Sequence, residues 1–137
     1  MTYNPSPVVS ADTLADMRQL TQAQWAPSGQ PAIVVYLAGY DTIGDGGSGM
    51  FFWSADDTRT DDGISVIEPI SSGGGPGRAN RIIENNTISA AACGLIADGS
   101  TPNDSQFSNI LVLSQTLGGL KLICGAGTYV LNCRQRQ

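Results

Sequence analysis

Four glycines within six residues separate two apolar β-type runs in the first half of the chain. The glycines are Gly44, Gly46, Gly47 and Gly49. Because glycine takes a positive φ without steric cost, this cluster predicts a tight, irregular turn. The turn connects residues 32–37 to residues 50–53, and we expect those two runs to pair as antiparallel strands. Residues 32–37 are almost all apolar, which predicts a strand covered on both faces.

The composition bounds the fold and excludes several functions. A length of 137 residues suits one domain or two very small ones. Seventeen glycines, with 14% charged and 41% hydrophobic residues, favour β-structure that has a packed core and many turns. A net charge of −5 argues against a nucleic-acid partner, which requires a basic face. We also expect no membrane span, because no apolar run approaches the roughly 18 residues that one needs.

The first part of the chain divides into an arm and a module. Residues 1–12 contain two prolines and are expected to form an extended N-terminal arm. A short helix is predicted over residues 14–20, with Ser10 or Asp12 as its cap. Residues 13–83 are expected to form a glycine-rich β module. Its predicted strands cover residues 32–37, 50–53, 64–67 and 78–83.

Residues 84–137 form the second predicted segment. Asn103 or Asp104 can cap a helix that presents an apolar face and ends at Gly118. Strands are expected at residues 120–124 and 129–132. Three cysteines, Cys93, Cys124 and Cys133, are an odd count. We interpret all three as free thiols, with a Cys124–Cys133 disulfide or a metal site as the alternatives.

The residues predict no catalytic, cofactor-binding or metal site. The glycine spacing matches a dinucleotide fingerprint, but a strand pattern follows where the fingerprint needs a helix. With no histidine, the usual general base of a serine or cysteine nucleophile is absent. A larger set of carboxylates is interpreted as turn-capping rather than as calcium or glycosidase groups. These carboxylates are Asp56, Asp57, Asp61 and Asp62, while Asp45 and Asp98, each just before a glycine, are interpreted as turn formers.

Four aromatic residues on the predicted strands, Tyr36, Phe51, Phe52 and Trp53, allow two interpretations. They are suited to a sugar-stacking platform or to packing in a core or a trimer interface. Alternate residues of a strand face opposite sides, so only about half of the four can face solvent. Packing is therefore the preferred interpretation.

Several short motifs together resemble bacteriophage tailspikes and related pectate-lyase-like proteins. The sequence AGYDTIGDGGSGMFFW at residues 38–53 resembles the glycine-rich loop and aromatic strand of their entry module. DDTRTDDGISVIEP at residues 56–69 resembles the following DDG turn. Arg78 and Arg81 stand in a closing segment, where Ala79 replaces the usual tryptophan. Further on, CGLIADG at residues 93–99 and GAGTY at residues 125–129 resemble the start of a β-helix.

The resemblance implies a mainly β fold with one or two short helices. A small antiparallel β module would lead into the first rung of a right-handed parallel β-helix. The sequence offers one rung, so the chain is either the N-terminal part of a longer protein or a small virion protein.

The resemblance also implies a structural function in the virion, assembled in the host cytoplasm. We expect a homotrimer that docks to other tail, baseplate or portal-region proteins. A host surface polysaccharide is a further candidate partner. Two alternatives remain open: the start of a polysaccharide depolymerase or lyase with its active site on later rungs, and a carbohydrate-binding module.

Overall fold

A computed structural model describes residues 9–28 and 33–132, and its largest element is a five-stranded sheet. The strands are β1 (Val9–Ala11), β2 (Val34–Leu37), β3 (Gly49–Ser54), β4 (Val66–Ile67) and β5 (Arg78–Arg81). Their order across the sheet is β1-β2-β3-β5-β4. β1 is parallel to β2, and every other neighbouring pair is antiparallel. The predicted antiparallel pairing of residues 32–37 with residues 50–53 is confirmed for the described residues of these runs.

β2 is covered on one face, so the prediction of a doubly covered strand at residues 32–37 was wrong. Val35 and Leu37 point into the core and are fully buried. Val34 and Tyr36, which point the other way, are 41% and 42% exposed. No element in the described part of the chain packs over that side of β2.

Two short helices cover the inner face of the sheet. They are α1 (Leu14–Arg18) and α2 (Gln22–Trp25). The cap of α1 is Thr13, whose hydroxyl accepts the backbone N–H of Asp16, so our assignment of the cap to Ser10 or Asp12 was wrong. The indole rings of Trp25 and Trp53 stack 5.7 Å apart in the core beneath the sheet.

The predicted N-terminal arm lies only partly within the described residues. Residues 1–8 are outside them. The end of the arm is not free, however, because Val9–Ala11 form the edge strand β1 in register with residues 35–37. Ala11 is buried in the core. The sheet therefore begins before residue 13, where we placed the start of the module.

The second half of the chain contains two parallel strand pairs and one long helix. Its elements are β6 (Thr87–Ser89), β7 (Asp98–Pro102), α3 (Asp104–Leu117), β8 (Lys121–Ile123) and β9 (Thr128–Val130). β6 pairs with β8 and β7 pairs with β9, both in parallel. The described strands do not close into a β-helix coil.

Both ends of α3 lie where the sequence predicted them, but the N-terminal end lacks the predicted side-chain cap. Gly118 ends the helix with a left-handed φ of 75°, as predicted. Asn103 occupies the N-cap, but its side chain makes no capping bond. Instead this fully buried amide accepts the N–H of Ile96 at 2.8 Å and donates to the Ile96 carbonyl at 2.9 Å. Asn103 thereby joins β7 to the start of α3.

A second hydrophobic cluster lies between α3 and the parallel strands. Ile88, Cys93, Ile110 and Leu113 belong to it. Ile64, which comes from the predicted β module rather than the second segment, is 1% exposed within the same cluster. The two predicted segments consequently share a core and should unfold together.

We therefore expect Ile64→Ala to lower the free energy of unfolding by about 2–4 kcal/mol, through lost burial and a residual cavity. The two clusters have separate probes: the fluorescence of Trp25 and Trp53 reports on the first, and the thiol reactivity of Cys93 on the second. In a Cys124→Ser/Cys133→Ser background, both probes should give one lowered denaturation midpoint. Ile70→Ala, at a side chain 63% exposed, is the control and should shift neither. If the thiol reactivity of Cys93 alone showed a lowered denaturation midpoint, the two clusters would belong to domains that unfold independently.

Candidate functional site

The glycine-rich loop is held in shape by the carboxylate of Asp45. One oxygen accepts the backbone N–H groups of Tyr40 and Gly47 at 2.9 and 2.8 Å. The other accepts those of Asp41 and Thr42 at 2.8 and 3.1 Å. Partial burial would raise the pKa of Asp45, but the four N–H bonds outweigh it and lower that pKa to about 2. The predicted turn-forming role of this aspartate is therefore what the geometry shows.

This loop packs directly against the second half of the chain. A Cβ added at Gly94 would lie 2.7 Å from the ring of Tyr40, so only glycine leaves room for that ring. The hydroxyl of Ser89 donates to the carbonyl of Gly46 at 3.0 Å. Because the loop is structural and a strand follows it, the dinucleotide interpretation has no helix N-terminus to use.

Asp61 and Asp62 also serve as caps for backbone groups. Asp62 accepts the N–H groups of Ile64, Ser65 and Val66 at 2.7–2.9 Å. Three bonds from one carboxylate hold residues 64 and 65 in a turn, which is why the predicted strand at 64–67 shortens to Val66–Ile67. Asp61 accepts two bonds from the guanidinium of Arg18 at 3.0 and 3.2 Å.

A third network ties Asp57 to the sheet. Arg59 donates to Asp57 through its backbone N–H and its guanidinium, and it also donates to the side chain of Asn80. The side-chain bonds from Arg59 are the main reason that the pKa of Asp57 lies below its usual range. Asp98, at a separate turn, accepts the N–H groups of Ser100 and Thr101. Asp56 is exposed.

Two buried arginines of β5 bond the sheet to the carbonyl groups of these loops. Arg78, 3% exposed, donates to the carbonyls of residues 59, 75 and 77 at 2.7–2.8 Å. Arg81, 7% exposed, donates to the carbonyls of Ile64 and Ser48, and its guanidinium lies 4.6 Å from the centre of the Phe51 ring. Burial lowers the pKa of Arg81. Ala79, between them, is buried opposite Trp53.

The uncovered side of β2 and β3 carries a continuous apolar surface, which we call the outer face. Val34 is the direct cross-strand partner of Phe52, and Tyr36 is the partner of Met50. Each of these side chains is 40–43% exposed. The surface continues through Ile82 to Val112 on α3, which are 43% and 62% exposed. The outer face thus consists of Val34, Tyr36, Met50, Phe52, Ile82 and Val112.

A groove of about 700 Å³ runs between α3 and the strands β3 and β5. Phe52, Ile82 and Val112 line it, so three exposed apolar side chains converge there. Its charged lining residues are two arginines and two aspartates: Arg59, Arg81, Asp61 and Asp62. An apolar centre with a polar rim is the usual composition of a protein-binding surface.

The four predicted aromatic residues separate onto the two faces of the sheet. Phe51 and Trp53 are buried in the core, whereas Tyr36 and Phe52 lie on the outer face. Packing is therefore the role of the first pair, and the second pair remains available for binding. The alternation along the strands predicted this division but not which pair would be exposed.

The described residues also bear on the cysteines, metals and membranes. Burial raises the pKa of the Cys93 thiol to about 11, and Cys124 is exposed. Cys133 lies outside the described residues, so its pairing stays a prediction.

No group of three or more acidic or cysteine side chains in residues 9–28 and 33–132 is arranged to hold a metal ion. None of the three α-helices in these ranges has the length and apolar character needed to cross a membrane.

Comparison with known proteins identifies a family for part of the chain and finds solved structures with a similar fold. A family model described as the phage tail protein small four-stranded beta-sheet domain matches residues 10–84. The tailspike protein gp49 of Acinetobacter baumannii bacteriophage Fri1, a capsular polysaccharide depolymerase, is structurally similar, with a TM-score of 0.65 and 22% identity. The similarity covers 83% of this chain and 19% of gp49.

The second structure is Pantoea stewartii WceF, a glycan biofilm modifying enzyme with a bacteriophage tailspike-like parallel β-helix fold. It has a TM-score of 0.68 and 19% identity, over 92% of this chain and 17% of WceF. This chain therefore spans less than a fifth of either structure. The comparison with curated proteins gave no match.

Replacing Asp45 with asparagine should destabilise the fold by about 1–3 kcal/mol, because the charged acceptor of four N–H bonds is lost. The pKa of Asp45 is lower in the folded chain than its ordinary value of 3.8. Its stabilisation is therefore present above about pH 3.8 and disappears as the pH falls towards 2. Denaturant unfolding across this range should show the difference between wild type and variant shrinking with acid. Asp41→Asn is the matched control, and an equal loss there would contradict the assignment.

Proposed function

The chain belongs to the family of phage tail protein small four-stranded β-sheet domains, and we propose that it is the virion-attachment module of a tailspike-type protein. As a phage tail domain, it is a component of the virion. One observation carries the proposal: the matched residues 10–84 contain every residue of the first hydrophobic cluster. The family match therefore coincides with a sheet, two helices and a core of their own.

We propose that residues 84–137 begin a right-handed parallel β-helix. The parallel pairing of β6 with β8 and of β7 with β9 supports this. Ile123 and Leu131, 53% and 39% exposed, leave apolar surface beside the last two strands for a following coil. The parallel β-helix fold named for WceF is consistent with such a continuation.

The proposed organisation has an arm at residues 1–12, an entry module at 13–83 and a β-helix-like segment at 84–137. Two structural observations refine it. The last residues of the arm are already the edge strand β1, and Ile64 of the module lies in the core of the following segment. The module and the segment should therefore act as one rigid base.

We assign attachment to the start of the arm, which would contact other tail, baseplate or portal-region proteins. β1, which follows the start of the arm in the chain, is at the edge of the described sheet. An extended segment can gain affinity by adding to a sheet edge or by lying in a groove of its partner. The module itself is proposed to be a homotrimer.

A depolymerase whose active site lies on further β-helix coils is the second candidate. The descriptions of gp49 as a capsular polysaccharide depolymerase and of WceF as a glycan biofilm modifying enzyme favour it. In that case a host surface polysaccharide would be the substrate of the whole protein. The 137 residues would still serve as its attachment base, so this candidate extends the first proposal.

Deleting residues 1–8 should leave the fold intact and abolish incorporation into phage particles. The described part of the sheet begins at Val9 and the described core at Ala11, so the deletion removes neither. Incorporation is measured by immunoblotting purified particles. A variant in which residues 2–8 are replaced by a glycine-serine segment of equal length is the control for spacing, and it should fail as well. Normal incorporation of the deletion variant would place the attachment site elsewhere.

We expect no glycan cleavage by the 137-residue chain. The carboxylates Asp57, Asp61 and Asp62 are engaged by arginines or backbone N–H groups, whereas hydrolysis requires a carboxylic acid and a carboxylate on either side of the bond that is cleaved. Incubation with capsular polysaccharides should release no new reducing ends or unsaturated sugars. Turnover that disappears on mutation of one of these aspartates would overturn the structural assignment.

A further inference from the structure

We propose that the outer face is the surface through which copies of this chain contact one another. The inference deepens the homotrimer proposed above and rests on it. It adds the location of the contact: the six apolar side chains that cross β2, β3, the end of β5 and α3, together with the groove beside them.

The extent of the outer face matches what a stable contact requires. Its six side chains are each 40–62% exposed and together present on the order of 500 Å² of apolar surface. A standard interface buries roughly 800 Å² per partner, of which about 56–65% is apolar. The outer face therefore supplies nearly all the apolar area of one such interface, and in a trimer the two neighbouring copies would share it.

The distribution of charge favours a second copy of this chain. The whole chain has a net charge of −5, so two copies repel each other wherever acidic surfaces meet. The groove is lined by two arginines and two aspartates, and its formal charge is therefore zero. It is a neutral surface on an acidic protein, where a like-charged copy can approach at little electrostatic cost.

The polar groups beside the outer face argue against a glycan as the occupant. Sugar hydroxyls need free polar partners next to an aromatic platform. Here Asp57, Arg59 and Asn80 are bonded to one another, and Asn80 is only 6% exposed. These three side chains are already bonded, whereas an apolar protein surface on Phe52 needs no polar partners.

The chain offers matched pairs of positions for testing the contact. Val112 and Leu111 are neighbours on α3 and are 62% and 52% exposed, but only Val112 lines the groove. Phe52→Thr and Val112→Gln replace apolar surface with residues suited to a strand and a helix. Leu111→Gln and Ile70→Thr are the controls, both at exposed positions outside the outer face.

Light scattering of the purified 137-residue protein over a range of concentrations measures the association. The wild type should have about three times the monomer mass of 14.3 kDa at micromolar concentration. Phe52→Thr and Val112→Gln should each raise the concentration needed for association at least about tenfold. The two controls should leave it unchanged. Circular dichroism confirms that each variant keeps its fold.

A second measurement does not depend on weakening the assembly. In a Cys124→Ser/Cys133→Ser background, single cysteines are placed by Val112→Cys and Leu111→Cys. Labelling of the Val112→Cys thiol should slow as the protein concentration rises, because the neighbouring copy covers it. The Leu111→Cys thiol should react at a constant rate.

The outcomes separate this inference from the proposal on which it rests. A trimeric wild type whose outer-face variants remain trimeric, with a constant labelling rate at position 112, would overturn the location and leave the homotrimer standing. A wild type that is monomeric throughout would overturn both. Equal effects at positions 111 and 112 would also contradict the location, since only one of them lines the groove.

Discussion

The fold depends on satisfying the backbone N–H groups of the glycine-rich loop between β2 and β3. One carboxylate, Asp45, accepts four of them and so replaces the hydrogen bonds that a regular strand would supply. With the loop fixed, Tyr40 packs on Gly94 and the second half of the chain is joined to the sheet. The loop thus connects the two hydrophobic clusters. Its glycines leave room for the close packing at this connection.

The charged residues of the module also hold backbone segments in place. Asp62 holds the turn that delivers Ile64 to the second core, while Arg81 binds the carbonyl of that same residue from the sheet. These groups fix the direction in which the second segment leaves the module. The acidic residues Asp61 and Asp62 are thus engaged in internal hydrogen bonds.

The sequence predicted the parts of this fold that are local. The glycine cluster and its flanking apolar runs indicated one hairpin, and Gly118 marked the end of α3. The remaining features depend on contacts that no local pattern encodes. Trp25 lies in a helix of four residues yet stacks on Trp53, and the amide of Asn103 bonds Ile96 from across a turn. The exposure of one side of β2 depends on the absence of a covering layer, which local apolarity cannot predict.

We propose a rigid two-core base that attaches to other tail proteins and contacts its own copies through the outer face. Electron cryomicroscopy of the phage particle tests this claim most directly. The predicted density has three copies of residues 9–132 around one axis, with their outer faces turned towards each other and residues 1–8 in contact with a neighbouring tail protein. Copies whose outer faces are open to solvent, or covered by an unrelated protein, would contradict it.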